Sequence, residues 1–173
     1  MTRLFQLHAD IDVRVASIRE RRPDWLCGKG CDRCCRQLAE VPRLTDAEWR
    51  FLRAGLEKLS AAVLREIHHK VASLASPSVR PVVCPLLDES TGACPVYAQR
   101  PVACRTYGFY VQRDKGLYCP DIETRVAEGD WADVVWGNHD AIDGQLAGLG
   151  ETRSLTECFK QWARSVNGET ANP

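Results

Sequence analysis

The chain has 173 residues, about the length of a single domain, and its 23 lysines and arginines balance 23 aspartates and glutamates. This balance excludes a global electrostatic attraction to nucleic acid or to an anionic membrane, and no apolar run is long enough to span a bilayer. The first twenty residues are too charged for a signal peptide, so we expect a cytoplasmic protein with no nucleic-acid partner and no membrane partner.

The first half of the chain carries three helix signals. An amphipathic helix is predicted over residues 3–21 from the apolar spacing of Leu4, Leu7, Ile11, Val15 and Ile18. Thr45 and Glu48 have the spacing of a capping box, which predicts a helix that buries Trp49, Leu52 and Leu56. Ser60 is expected to cap a further helix, which ends at residues 76–78 and buries Val63, Ile67, Val71 and Leu74.

The middle of the chain changes character. A short strand is predicted at residues 82–84, a turn at Thr91 and Gly92 that begins at Asp88, and a second short strand at residues 109–111. Between them, Pro101 predicts a helical turn, because proline suits the first position of a helix.

Residues 120–160 are acidic, as expected for solvated helical faces, and Ser154 and Glu157 form a second capping-box pattern. The helix that they open would carry Leu155, Phe159 and Trp162. We therefore predict a mainly α single domain over residues 1–166, with a small irregular or β-hairpin segment and a mobile tail at 167–173.

Nine cysteines are an unusual number for a chain of this kind. Cytosolic thiols stay reduced, so many cysteines indicate metal or redox chemistry before a disulfide scaffold. Eight fall into two blocks, Cys27-x3-Cys31-x2-Cys34-Cys35 and Cys84-x9-Cys94-x9-Cys104-x14-Cys119, which we expect to meet in space. Cys158 stands apart and is expected to pack as a small hydrophobic residue.

The first cysteine block lies in a basic segment. Lys29, Arg33 and Arg36 are expected to lower the pKa values of the nearby thiols and to offset the charge of a thiolate site. The side chains of neighbouring residues diverge, so we do not expect Cys34 and Cys35 to bind the same metal ion. Eight thiols permit two four-cysteine sites, or one site with further thiols that pack or are redox-active.

Both blocks and the residues around them resemble the YkgJ-type cysteine cluster family, which is described as a zinc- or iron-chelating domain. The resemblance covers residues 25–120 and rests on the first block, on Cys84-Pro85-Leu86-Leu87-Asp88, and on Arg100-Pro101-Val102-Ala103-Cys104-Arg105-Thr106-Tyr107. It implies a compact domain organised around a cysteine-ligated metal centre. The candidate ligands that it implies are Cys27, Cys31, Cys34, Cys35, Cys84, Cys94, Cys104 and Cys119.

The cysteine spacing favours one class of metal centre. Three cysteines within eight residues plus a remote fourth are closer to the pattern that holds an iron–sulfur cubane, whereas structural zinc sites favour paired cysteine knuckles. We therefore expect an iron–sulfur cluster or chelated iron, with zinc as the alternative. A metalloenzyme or redox protein that acts on a protein or peptide partner, and a structural zinc module for protein interaction, are the other functions that the pattern permits.

A few other polar residues are candidates for supporting roles. Arg100, Arg105 and Tyr107 flank Cys104 and would either surround the metal site or, for the two arginines, pair with surface carboxylates. The adjacent His68 and His69 are predicted to be surface residues, and His139 is a weak candidate for a ligand.

Overall fold

The structure is a computed structural model that describes residues 2–74 and 80–166. About half of the chain is helical, and the strands are few and short, which confirms the prediction of a mainly helical protein with a small β segment. No helix in these two ranges is long and apolar enough to cross a membrane. The single-domain boundary at residue 166 stays a prediction, and the predicted tail at 167–173 lies outside the described residues.

Eight α-helices and one short 3₁₀ helix are described. The α-helices are α1 (Arg3–Arg21), α2 (Arg33–Arg36), α3 (Asp46–Leu56), α4 (Ala61–Ser73), α5 (Val102–Thr106), α6 (Pro120–Ala127), α7 (His139–Ala147) and α8 (Leu155–Val166). The 3₁₀ helix, Tyr97–Gln99, lies directly before the segment that leads into α5.

Five short strands form two small sheets. They are β1 (Arg43–Thr45), β2 (Tyr110–Gln112), β3 (Lys115–Leu117), β4 (Gly137–Asn138) and β5 (Thr152–Ser154). In one sheet β1 pairs antiparallel with β5, with Leu44 opposite Arg153. In the other, β2 pairs antiparallel with β3 and parallel with β4. Because this pairing is antiparallel, α3 and α8 begin at opposite ends of the first sheet.

Two hydrophobic cores are present. The first is built around α1, whose predicted apolar face is buried at Leu4, Leu7, Ile11 and Ile18. The other buried members of the first core include Trp25, Val102, Phe109, Ile122, Trp131 and Ile142. The second core joins α3, α4 and α8 through Leu44, Leu52, Leu56, Ile67, Val71, Leu155, Phe159 and Trp162. The cysteine-rich segments run between these two cores.

Both predicted capping boxes are present. The side chain of Thr45 accepts a hydrogen bond from the Glu48 amide, and Glu48 accepts one from the Thr45 amide at 2.8 Å. Ser154 and Glu157 make the same reciprocal pair at the start of α8. The amides at a helix start have no partner within the helix, so these side chains decide where α3 and α8 begin.

Two features of residues 60–84 differ from the sequence prediction, the strand at residues 82–84 and the burial of Val63. The strand predicted at residues 82–84 is wrong, because only Val82 forms an isolated bridge, with Leu38. The neighbouring segment coils into α2, and Pro81 and Pro85 have no amide hydrogen to extend a ladder. Val63 was expected in the core and is instead exposed. Helix α4 ends at Ser73. Its end was predicted at residues 76–78, which lie outside the described residues.

Candidate metal centre

The first cysteine block occupies a tight loop and the short helix that follows it. The Cys31 amide donates to the Gly28 carbonyl at 3.1 Å, which closes a turn between Cys27 and Cys31. Arg19 donates to the Cys27 carbonyl at 2.9 Å and so ties the loop back to α1. Cys34 and Cys35 lie in the middle of α2. No pattern in the sequence indicates this role of Arg19, because only the folded chain brings the end of α1 against this loop.

Backbone hydrogen bonds place Cys84 beside Cys35. Leu38 and Val82 exchange two hydrogen bonds, at 3.0 and 2.8 Å, and the Cys84 amide donates to the Cys35 carbonyl at 2.7 Å. The segment that carries Cys84 therefore runs antiparallel to the chain leaving α2. This contact joins the two cysteine blocks, which are almost fifty residues apart in sequence.

The turn between Cys84 and Cys94 is held by Asp88, as predicted. Its carboxylate accepts hydrogen bonds from the hydroxyls of Ser90, at 2.6 Å, and Thr91, at 2.8 Å, which lower the pKa of Asp88 to about 2. Gly92 completes the turn with a φ of +67°, and a Cβ there would lie 3.0 Å from the Gly30 carbonyl oxygen. The two cysteine-bearing loops are thus in close contact, and glycine is the residue that fits between them.

Cys104 and Cys119 are positioned by helix starts. Cys104 lies within α5, one turn after Pro101, which takes the N-cap position rather than the predicted first helical position. Cys119 is the N-cap residue of α6, is buried, and precedes Pro120 at the first helical position.

Seven of the eight candidate cysteines line one cavity, here called the main cavity: Cys27, Cys31, Cys34, Cys35, Cys84, Cys94 and Cys104. The rest of its wall is largely apolar and includes Leu86 and Leu87. Cys119 lines a second cavity together with Cys27, Cys31 and Cys34. The structure therefore brings all eight predicted residues into two adjoining cavities, as the sequence led us to expect.

All nine cysteines lie in the described part of the chain, and none forms a disulfide. Cys158 lines neither cysteine cavity and is buried in α8, in agreement with its predicted packing role. Cys31 is the exposed member of the set, so the thiol-lined region reaches the protein surface there.

The pKa values of five thiols are raised, contrary to the expectation from the basic segment: those of Cys27, Cys34, Cys35, Cys94 and Cys104. Burial raises the pKa of Cys27 and of Cys104 to about 12 and also raises that of Cys94. The pKa of Cys34 is raised first by its hydrogen bond with Cys35 and then by burial. Two of the cations that were expected to lower these pKa values are paired with carboxylates instead. Arg33 pairs with Asp121 at 2.8 Å, and Arg36 pairs with Asp32 at 2.5 Å. Loss of hydration therefore outweighs nearby positive charge at these thiols.

Cys35 is in contact with thiols on both of its sides. A hydrogen bond with Cys34 lowers the pKa of Cys35, but a hydrogen bond with Cys84 and burial outweigh it and leave that pKa at about 12. The thiols of Cys34, Cys35 and Cys84 are thus close neighbours, and the raised pKa values of Cys34 and Cys35 favour their protonated forms. A metal ion would replace those protons and draw the sulfur atoms toward itself.

Among the described residues, Arg100 is the charged side chain in the wall of the main cavity. Its charge opposes the rise in pKa at Cys27, Cys94 and Cys104. Its side chain donates to the Tyr97 carbonyl at 3.0 Å and lies 3.5 Å from the centre of the Tyr97 ring. Sequence reasoning missed this role of Tyr97, because the helical turn was predicted only from Pro101 onward and the 3₁₀ helix at Tyr97–Gln99 was not foreseen.

The other polar candidates have different surroundings. Arg105 pairs with Asp12 at 3.0 Å and donates to the Arg100 carbonyl, so it supports the backbone next to the site. Tyr107 lines both cysteine cavities, and its carbonyl accepts a hydrogen bond from the Cys27 thiol at 3.7 Å. His139 lines neither cavity and lies 3.3 Å from Asp143.

His68 departs from its prediction as a surface residue. Its ring packs on Phe159 and Trp162, with ring centroids 5.1 Å apart in both cases, and burial lowers its pKa. Its neighbour His69 is exposed, as expected.

The thiols are of the chemical type that binds a soft metal, although their side chains are not arranged around a metal position. Thiolates bind zinc and iron–sulfur clusters, and eight of them surround two cavities here. Within residues 2–74 and 80–166, no three Cys, His, Asp or Glu side chains have a geometry that holds a metal ion as they stand. Metal binding therefore requires rotation of the thiol side chains, and the predicted metal centre itself stays a prediction.

A fold that gathers eight free thiols in this way is typical of metal-chelating domains. The chain belongs to the CxxCxxCC family, described as "Putative zinc- or iron-chelating domain", whose family model matches residues 26–130. This confirms the family predicted from the cysteine motifs. A search of curated proteins found no match, and neither did a search of solved structures.

Proposed function

We propose that this protein binds metal through its clustered cysteines and holds an iron–sulfur cluster or chelated iron. The observation that carries the proposal is the main cavity, where seven thiols face a largely apolar space next to Arg100. Packing alone does not require eight reduced cysteines to line two adjoining cavities. A cysteine that only packs, such as Cys158, is buried away from both cavities in this chain.

The spacing of the first block supports iron over zinc. Cys27, Cys31 and Cys34 come from one loop and short helix, and Cys119 lies across the second cavity from them. Three cysteines from one segment and one from elsewhere are the arrangement by which proteins commonly hold a cubane cluster. The apolar wall of the main cavity would also limit the access of water to a bound cluster.

The test is a measurement of metal in protein purified without oxygen. We expect iron and acid-labile sulfide in matched amounts, with broad visible absorption. Stoichiometric zinc in a colourless sample would instead support a structural or chelating zinc module. The absence of both metals at stoichiometric amounts would contradict metal binding altogether.

Single substitutions connect the metal to particular thiols. Cys31→Ser and Cys104→Ser are expected to lower the metal content, whereas Cys158→Ser is the matched control and should leave it unchanged. Full metal retention in the first two variants would contradict the ligand assignment.

A second candidate function is a metalloenzyme or redox protein that acts on a protein or peptide partner. The observation in its favour is the exposure of Cys31 at the second cavity, where a reactant can approach a thiol from solvent. This function predicts that an added peptide or small thiol changes the visible spectrum of the metal-loaded protein. An unchanged spectrum would favour the simple metal-binding function.

A further inference from the structure

We propose that the eight cysteines form two separate four-thiol metal sites, an outer group of Cys27, Cys31, Cys34 and Cys119, and an inner group of Cys35, Cys84, Cys94 and Cys104. The inference rests on the proposed metal-binding function and deepens it, because it states how many centres the chain holds and which thiols serve each one. The boundary between the two groups falls between the adjacent Cys34 and Cys35.

The cavities support this division. The four inner cysteines line the main cavity and not the second one, whereas Cys119 lines the second cavity and not the main one. Cys27, Cys31 and Cys34 lie between the two cavities and line both. A single four-thiol centre in the main cavity would therefore leave Cys119 without a role, and a centre in the second cavity would leave the inner group without one.

The two hydrophobic cores support the same division for the four thiols that are packed in or against them. Cys119 belongs to the first core, and Cys27 packs against that core. Cys84 and Cys94 pack against the second core. Cys104 lies on α5, which contributes Val102 to the first core, so the cores separate Cys27 and Cys119 from Cys84 and Cys94 but do not separate the remaining thiols.

The geometry of α2 explains why the division falls between neighbouring residues. Successive side chains on a helix point about 100° apart, so the thiols of Cys34 and Cys35, which lie close to each other here, can turn from α2 toward different sides. The hydrogen bond between the Cys35 carbonyl and the Cys84 amide holds Cys35 on the inner side. This leaves Cys34 for the outer side, where it lines the second cavity with Cys119.

Arg100 provides charge compensation for two neighbouring anionic centres. Four thiolates around a divalent ion carry a net charge of about −2, so two such centres side by side repel each other. Arg100 lines the main cavity together with the whole inner group and with Cys27, Cys31 and Cys34 of the outer group. A cation that faces both groups lowers this repulsion.

The test uses Co²⁺ as a probe, added without oxygen to the full-length protein after its metal has been removed. Cobalt bound by four thiolates has an intense visible spectrum that counts such sites. We expect two equivalents for the unaltered chain, one for Cys119→Ser, one for Cys94→Ser, and two for the control Cys158→Ser. Circular dichroism would show whether each variant has folded.

Double substitutions test the membership of each group. Cys34→Ser combined with Cys119→Ser should retain one equivalent, because both residues belong to the outer group. Cys35→Ser combined with Cys119→Ser should retain none. If the first pair abolishes all binding, or the second pair retains a full site, the division between Cys34 and Cys35 is wrong.

If a variant fails to fold, a measurement on the unaltered chain still tests the two-site inference. The protein is loaded with one equivalent of Co²⁺ and alkylated, and the singly loaded species is mapped by mass spectrometry. The protected cysteines should be all four members of one group. Protection that mixes the groups, or a single centre lost completely in either Cys94→Ser or Cys119→Ser, overturns the two-site inference while metal binding stands. No cobalt binding by the unaltered chain would also overturn the two-site inference, whereas the absence of iron and zinc from the purified protein would overturn the proposed function itself.

Discussion

The carboxylate of Glu48 accepts a hydrogen bond from the backbone amide of Val102 at 3.0 Å. Its other oxygen accepts from the amide and the hydroxyl of Thr45, at 2.8 and 2.9 Å. A single buried side chain therefore satisfies the starts of two helices, α3 and α5. Because α5 carries Cys104, this contact connects the second core to the position of an inner thiol.

Replacement of this carboxylate should destabilise the protein. Glu48→Gln places an amide donor against one of the two backbone donors, and we expect the free energy of unfolding to fall by about 1–3 kcal/mol. The matched control is Glu157→Gln in the exposed capping box of α8, for which a smaller loss is expected. Urea unfolding monitored by circular dichroism would measure both. Equal losses in the two variants would contradict a special role for Glu48.

Gly108 is predicted to be needed for the position of Cys27. Its φ is +89°, and an added Cβ would lie 2.8 Å from the Cys27 sulfur. Gly129 has a similar φ of +82° with open space around it, so Gly129→Ala measures the backbone strain alone, about 1 kcal/mol. We expect Gly108→Ala to be more destabilising and also to lower the metal content. Identical unfolding and metal content in the two variants would rule out this contact.

Arg100 should strengthen metal binding through its charge. Arg100→Gln removes the cation that faces the thiols, and we expect the affinity for Co²⁺ to fall by about tenfold, or about 1.4 kcal/mol. Arg100→Lys keeps the charge and should recover part of the loss. The control is Arg53→Gln, which removes an exposed arginine paired with Glu57 at 2.8 Å. If Arg100→Gln binds cobalt as tightly as this control does, the electrostatic role is excluded.

Metal binding should release protons. The pKa values of Cys27 and Cys104 are about 12, so both thiols are protonated at neutral pH and must lose their protons to become ligands. We expect about one proton released for each thiol that binds, and an affinity that decreases as the pH falls. A pH indicator in weakly buffered solution would count the protons. Metal uptake without proton release would mean that the thiols are not the ligands.

His8 should make the folded state sensitive to acid. Burial is the largest cause that lowers its pKa from 6.5 to about 4, and its Nε2 has no hydrogen-bond partner among the residues that the structure describes. The unfolded chain therefore binds a proton below pH 6.5 while the folded chain does not, so stability is full above pH 6.5 and falls as the pH decreases toward 4. The full loss is about 3 kcal/mol. His8→Leu should flatten this part of the stability profile, and a variant profile parallel to the parent's would contradict the prediction.

Local patterns in the sequence were sufficient for most helices. The apolar spacing of α1, the two capping boxes and the Asp88 turn each involve residues that lie within one or two turns of each other. Interactions of that range form in the same way whatever the rest of the chain does. The cysteine motifs likewise identified the family, because a resemblance depends on residue types and spacing alone.

The tertiary structure decided what the sequence could not specify. The strand expected at residues 82–84 is limited to one bridge at Val82, because its partner segment enters α2. The expected decrease in thiol pKa became an increase, because burial by distant segments outweighs the nearby arginines, which pair with carboxylates instead. The sequence by itself determined which thiols come together. Their assignment to cavities and cores depends on contacts between residues far apart in the chain, and such contacts exist only after folding.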